Sequence, residues 1–260
     1  MGRSATHNKR DTVLKCIGLA ILLFRLSLAT GSEPRRACPH VPEPMIYDLV
    51  RGLCPSRGEL EINTLTQYNP SDGGVTPSPE IEYAFWDGYA VELEVDTNIP
   101  VGPGHSEGNM RIADYKPSLQ GTFGYHNSHF AHGWQFTGEY FTDGKGFSNT
   151  AIYLLEYQFN KHWSIFSMAG VRRSDFFSNV FYKGIVNQNL FYTFSSGLIL
   201  GLEVNWVYKP NFPSNSDNLI VMPEVHKELT EHINLQFGVG LERTKHQDSL
   251  NTGMRFVYTF

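Results

Sequence analysis

Taken in steps of two, the chain sorts into an apolar and a polar face over most of its length. In INLQFGVGLE the positions Ile233, Leu235, Phe237, Val239 and Leu241 are apolar, with Asn234, Gln236, Gly238, Gly240 and Glu242 between them. LILGLEVNWVYK divides the same way, with Leu198, Leu200, Leu202, Val204, Trp206 and Tyr208 set against Gly201, Glu203, Asn205 and Lys209. AVELEVDTNI opposes Val91, Leu93 and Val95 to Glu92, Glu94 and Asp96. A period of two belongs to an extended strand with two unlike faces. Marking each such run between turn signals predicts strands at 59–69, 79–86, 89–98, 112–125, 132–143, 148–159, 162–173, 179–194, 197–209, 218–229, 232–245 and 249–260. Several exceed the roughly 5–6 residues usual in globular proteins and match the roughly 9–11 that a tilted strand needs to cross a bilayer. The expected fold class is therefore all-β, a closed antiparallel transmembrane β-barrel of about twelve strands over 59–260, an even count as in bacterial outer-membrane barrels. A secreted β-sandwich is the alternative, although sandwiches rarely sustain so many long strands. Pro223 removes a ladder donor inside the tenth strand, so a bulge is expected there, or eleven strands and an irregular stretch.

Turn lengths carry the same message. Asp87-Gly88, Lys161-His162, Ser195-Ser196 and Thr230-Glu231 are tight links of one parity, to which the longer HNSHFAH is the exception. PVGPGHSEGNM (100–110) and PNFPSNSD (210–217) fall on the other parity and are too long for hairpin turns. Short periplasmic turns alternating with longer outer loops are the rule in such barrels. Aromatics gather at the short-turn end: Phe85, Trp86, Tyr89, Tyr157, Phe159 and Trp163, then Tyr192, Phe194, Tyr258 and Phe260. That is the girdle expected where lipid meets water.

One stretch breaks the period. EPMIYDLVRGL puts Met45, Ile46, Leu49, Val50 and Leu53 on one side of a short helix, with Pro44 in its first turn. It lies in an expected periplasmic segment, 32–58, that serves as a plug or a cap. Ahead of it, Arg3, Lys9, Arg10 and Lys15 precede an apolar run that yields to small residues near Ala29 and Gly31, so residues 1–31 read as a secretory signal peptide. A membrane-anchoring helix is the alternative, but the run is interrupted by Arg25 and is shorter than the roughly 20 residues that span a bilayer. Export leaves Cys38 and Cys54, which an oxidising envelope would join in a disulfide; two free thiols are the alternative.

Composition narrows the function classes. Only 18% of residues are charged, against about 25% in soluble domains. The formal net charge is −5 and no basic stripe with interleaved aromatics occurs, so nucleic acid is not an expected partner. Histidines are scattered, and no HExxH or Cys-x-x-Cys is present, so no metal site or cofactor is expected.

Two resemblances add to this. Met254, Phe256, Tyr258 and Phe260 resemble the C-terminal signal by which outer-membrane assembly machinery recognises barrel substrates, which would make that machinery a partner beside outer-membrane lipid. CPSRGELEINTLTQYNP followed by PEIEYAFWDGYAVELEVDTNIPVG resembles the opening hairpins of the outer-membrane transporters named after the meta pathway of phenol degradation. That likeness rests on GELE, a paired E-x-E-Y-x-x-x-D and E-L-E…P-V within residues 55–102, the later strands matching only in style. It implies passage of small-molecule solutes, aromatic or apolar among them, rather than a reaction.

With the apolar face turned to lipid, the acids Glu61, Glu82, Glu92, Glu94, Asp96, Glu139, Glu203 and Glu242 face the lumen, as do the bases Arg172, Lys183 and Arg255, and so do Asp114 and Lys116. Acids concentrate on the first three strands, while Arg172, Lys183 and Arg255 are expected on strands closing the other side. Two readings stay open: a transverse field that selects solutes, and an internal ion-pair network that fills a small, closed structural barrel. A lipid acyl hydrolase with a His-x-Ser pair on the lipid side is the enzymatic alternative, with His126/Ser128 and His162/Ser164 as candidate pairs. Both lie at the short-turn end, whereas such enzymes work at the outer leaflet, so the expected function is an outer-membrane channel and not an enzyme.

Overall fold

The computed structural model describes residues 38–46, 50–70, 74–100, 110–144, 146–176, 179–209, 217–244 and 247–260. The signal peptide expected over 1–31 and most of the two long loops lie outside these residues. Twelve strands follow one another: β1 (Leu60–Asn69), β2 (Gly74–Trp86), β3 (Tyr89–Pro100), β4 (Arg111–Asn127), β5 (Phe130–Phe141), β6 (Gly146–Gln158), β7 (Trp163–Phe176), β8 (Asn179–Thr193), β9 (Leu198–Tyr208), β10 (Asn218–Glu228), β11 (Ile233–Arg243) and β12 (Asp248–Thr259). Each pairs antiparallel with its neighbours in the chain. β12 also pairs with β1, with Ile62 opposite Tyr258 and Thr66 opposite Met254, so the sheet closes on itself.

The two faces are those of a protein turned inside out. Ile81, Leu93, Leu202, Phe237, Leu241 and Met254 are exposed, whereas Glu82, Glu94, Asn187, Glu203, Gln236 and Arg255 are buried. Such an exterior suits hydrocarbon, and closure leaves no edge whose peptide groups would face it unpaired. Aromatic rings mark the short-turn rim, where Tyr157 packs on Phe159, Trp163 and Phe194 on Tyr192, and Tyr258 on Phe260, with centroids 4.7–4.9 Å apart. A second belt, not singled out from the sequence, exposes Tyr68, Tyr115, Tyr140, Tyr182 and Tyr208 toward the opposite end.

The prolines show how a barrel wall tolerates a missing donor. Alternate residues of a strand bond to alternate neighbours. Pro223 in β10 stays in unbroken register with β9, and bridges to β11 are missing only at Met222 and Pro223, with the same register on either side. The bulge expected at Pro223 is therefore absent. β2 starts at Gly74 rather than 79 because Pro77 and Pro79 keep their register with β1, while the ladder to β3 lapses between Val75 and Glu80.

Two other expectations are corrected. β4 runs to Asn127 and β5 begins at Phe130, so the link expected to be long is the two-residue turn Ser128-His129. Here the strands continue past the apolar band, where polar residues hide the period. Among the described residues no helix forms between 38 and 58. A charge on the lipid face tests the orientation of the wall: Phe237→Arg, at the centre of β11, is expected to cost about 2–4 kcal/mol in denaturant titrations of the protein folded into lipid vesicles.

Candidate functional site

The N-terminal segment enters the barrel from the short-turn end. The Pro55 carbonyl accepts from Gly88 N–H at 2.8 Å, Asp87 Oδ1 accepts from Arg57 N–H at 2.8 Å, and Gly58 N–H donates to the Ala84 carbonyl. Above this dock, the Cys38–Cys54 disulfide ties the segment into a loop, a closure that stabilises it by about 3 kcal/mol in the loop-entropy account. Val41, Val50 and Leu53 then pack against inward apolar residues of the wall, among them Ile152, Leu154, Phe166 and Phe191. Met45 joins Leu65, Ile220 and Met222 in a second cluster.

The absent helix has a physical cause. Met45, Leu49, Val50 and Leu53 fit a helical period, but the described backbone groups bond elsewhere, and the N–H groups of Gly52, Leu53 and Cys54, which a helix would pair internally, find side-chain acceptors. Glu203 Oε2 accepts from Met45 and Ile46 N–H at 2.9 and 2.7 Å, Glu156 Oε1 from Leu53 N–H at 2.6 Å, and Glu43 Oε1 from Gly52 N–H at 2.9 Å. Gln120 Nε2 donates to the Arg51 carbonyl and Thr122 Oγ1 accepts from Cys54 N–H. Glu156, Thr122 and the segment's own Glu43 thus take places that helix carbonyls would fill at the end of this stretch.

Two arginines stand among the carboxylates of the acid-rich half of the lumen. Glu61, Glu82 and Glu92 stand in cross-strand register on β1, β2 and β3, an arrangement that is costly without cations. Arg51 of the segment lies 3.5 Å from Glu82 and 3.0 Å from Glu59. Burial works against its charge, but Glu82, Glu61, Glu43 and Glu59 outweigh burial and hold its proton more firmly than usual. Arg255, fully buried, donates to the Pro44 carbonyl and lies 3.5 Å from Glu43 and 4.0 Å from Glu82. The expectation that Arg255 faces the acids from the far wall is thus corrected: closure makes β12 the neighbour of β1 and brings Arg255 among them.

Beyond the tip of the segment lies a cavity of about 300 Å³, with Ile46 at its floor. Asp96 and Lys116 line one side, where Lys116 Nζ is 2.5 Å from Glu94 and 2.6 Å from Asp96. Arg172, Lys183 and Lys209 line the other, with Glu139 3.5 Å from Arg172. Glu242, nearer the loop end, accepts from Asn69 and Asn218 at 2.8 and 2.7 Å. Sequence reasoning missed Glu80, Glu156, Glu224 and His226, all buried, and the role of Arg51. The signal was present for the wall residues: Glu80 and Glu156 share a face with Glu82 and Leu154, two steps away.

The hydrolase alternative finds no support in the geometry. Ser164 faces the lumen and is buried, and His162 Nδ1 donates to the Thr193 carbonyl at 2.8 Å. Ser128 lies in the turn after β4, and the side chain of His126 is outside the described residues.

No family model matches the chain, and no curated protein matches it. Solved structures do. An outer-membrane channel from Pseudomonas putida F1 is 12% identical, with a TM-score of 0.59 over 85% of this chain and 100% of its own. The NanC porin is 7% identical, with a TM-score of 0.60 over 76% and 98%. A KdgM porin is 12% identical, with a TM-score of 0.56 over 77% and 99%. The chain has the barrel fold of outer-membrane porins and channels. At such identities the likeness concerns fold alone.

The arginine network makes a sharp stability prediction. Arg255→Met removes the cation paired with Glu43 and leaves Glu82 with Arg51 alone, and is expected to cost about 3–5 kcal/mol in denaturant titrations. Arg243→Met, which removes an exposed pair with Asp248, is expected to leave the unfolding midpoint unchanged.

Proposed function

We propose that the protein is an outer-membrane channel for small solutes, with its N-terminal segment closing the lumen from the periplasmic side. The observation that carries this reading is the polar cavity held within a closed wall whose outer face is apolar. A barrel with a lipid-facing exterior and no lumen to use could fill itself with apolar side chains; this one keeps Lys116, Arg172, Lys183 and Lys209 around open space. The KdgM porin was solved in complex with disordered oligogalacturonate, so a barrel of like fold holds a solute.

The finer elements belong to the same proposal. Residues 1–31 are removed on export as a signal peptide, and the exported chain begins with the periplasmic segment 32–58. Phe256, Tyr258 and Phe260 are read by the assembly machinery, which their alignment along β12 with outward Met254 supports. Kinship with the phenol meta-pathway transporters rests on the motifs within residues 55–102, whose described part carries the dock of the segment and the acid-bearing strands β1 to β3.

Planar-bilayer recording tests the channel. The full chain is expected to show small, infrequent conductance steps, and a variant lacking residues 38–53 larger steps. If both proteins, verified as folded by heat-modifiable gel mobility, leave the bilayer silent, the channel reading is wrong.

A further inference from the structure

The cavity wall is unevenly charged. Arg172 and Lys183 are direct cross-strand partners on β7 and β8, and Lys209 follows β9. Like charges opposite one another destabilise a sheet, and Glu139 pairs with Arg172 on this side. Across the cavity Asp96 and Glu94 share Lys116, with Asp114 in register beside Asp96, so that wall holds more acid than base. Among the described residues lining the cavity, four are bases and one is an acid, and the surplus of positive charge sits on β7 to β9.

Beside that arc lies an apolar surface. Ile185 follows Lys183 by two residues on the same face of β8, Val207 is its partner on β9, and Ile46 reaches up from the inner segment. Three bases beside three aliphatic side chains suit neither a bare inorganic anion nor a neutral aromatic. We infer that the cavity is a binding site for a small organic carboxylate with an apolar body, such as an aromatic acid. The carboxylate engages Arg172, Lys183 and Lys209 while the ring rests on Ile46, Ile185 and Val207. Guanidinium and ammonium donors to a carboxylate are the strong class of hydrogen bond, and the aliphatic floor adds selectivity against hydrophilic anions. This names a solute class for the proposed channel and rests on that reading for passage, though not for occupancy.

Calorimetric titration of the detergent-solubilised full chain tests occupancy without conduction, with benzoate, inorganic phosphate and benzyl alcohol as probes. Benzoate is expected to saturate one site. The Lys183→Met/Lys209→Met variant is expected to lose about tenfold or more in affinity, as removal of charged hydrogen bonds implies, while Lys183→Arg/Lys209→Arg retains it. Phosphate and benzyl alcohol are expected to bind more weakly by a similar factor. Unchanged benzoate affinity in the Met variant, or benzyl alcohol or phosphate binding as tightly as benzoate, overturns the assignment. Benzoate binding by a protein that never conducts would sink the channel and leave the site standing; conduction without benzoate binding would do the reverse.

Discussion

Hydrocarbon offers a peptide group nothing to bond to, and the rest of this structure follows from that constraint. A sheet with a free edge is barred, so β12 must return to β1, and closure fixes which residues meet. Strands must be long enough to cross, and each must turn its apolar side outward, which sends every second residue into the lumen. The prolines obey the same rule. Each interrupts the ladder toward one neighbour and leaves the ladder toward the other intact.

Closure then creates a second problem inside. A wall that places Glu61, Glu80, Glu82 and Glu92 together in a confined space needs cations and donors there. The inner segment brings Arg51 to these carboxylates, and its backbone N–H groups at Met45, Ile46 and Leu53 serve Glu203 and Glu156 elsewhere on the wall. It also supplies apolar surface where the wall turns apolar side chains inward. The segment and the wall are therefore complementary in two currencies, charge and hydrophobic area, and neither half of the contact makes sense alone.

This complementarity explains what could be read in the chain and what could not. The outward residues of β3, β9 and β11 are legible because one face meets lipid and the other meets polar neighbours. β6, β7 and β8 blur that contrast: Ile152, Leu154, Phe166 and Phe191 point inward yet are apolar, since their partner is the segment and not water. A strand apolar on both faces within an otherwise alternating barrel is the trace the segment leaves in the sequence. The helix expected over 43–53 is absent from the described residues of that stretch for the converse reason. Its periodicity is real, but periodicity records which side chains are buried and says nothing of who takes the backbone hydrogen bonds. The position of Arg255 was unreadable without closure, because distance along the chain hides that the last strand adjoins the first.

Ile46 joins the two halves of the lumen. It is the contribution of the segment to the cavity floor, and its N–H, with that of Met45, is held by the single carboxylate of Glu203. Glu203 is itself braced by Asn187, which donates to its other oxygen from the neighbouring strand β8. A solute seated against Ile46 thus touches the residue whose displacement would break the grip of Glu203 on the segment. In the proposed channel, withdrawal of the segment gives up both backbone bonds at that one carboxylate oxygen. Recognition of a solute and release of the obstruction would then meet at one short stretch of backbone, while the disulfide and the dock at Gly88 keep the segment tethered to the rim.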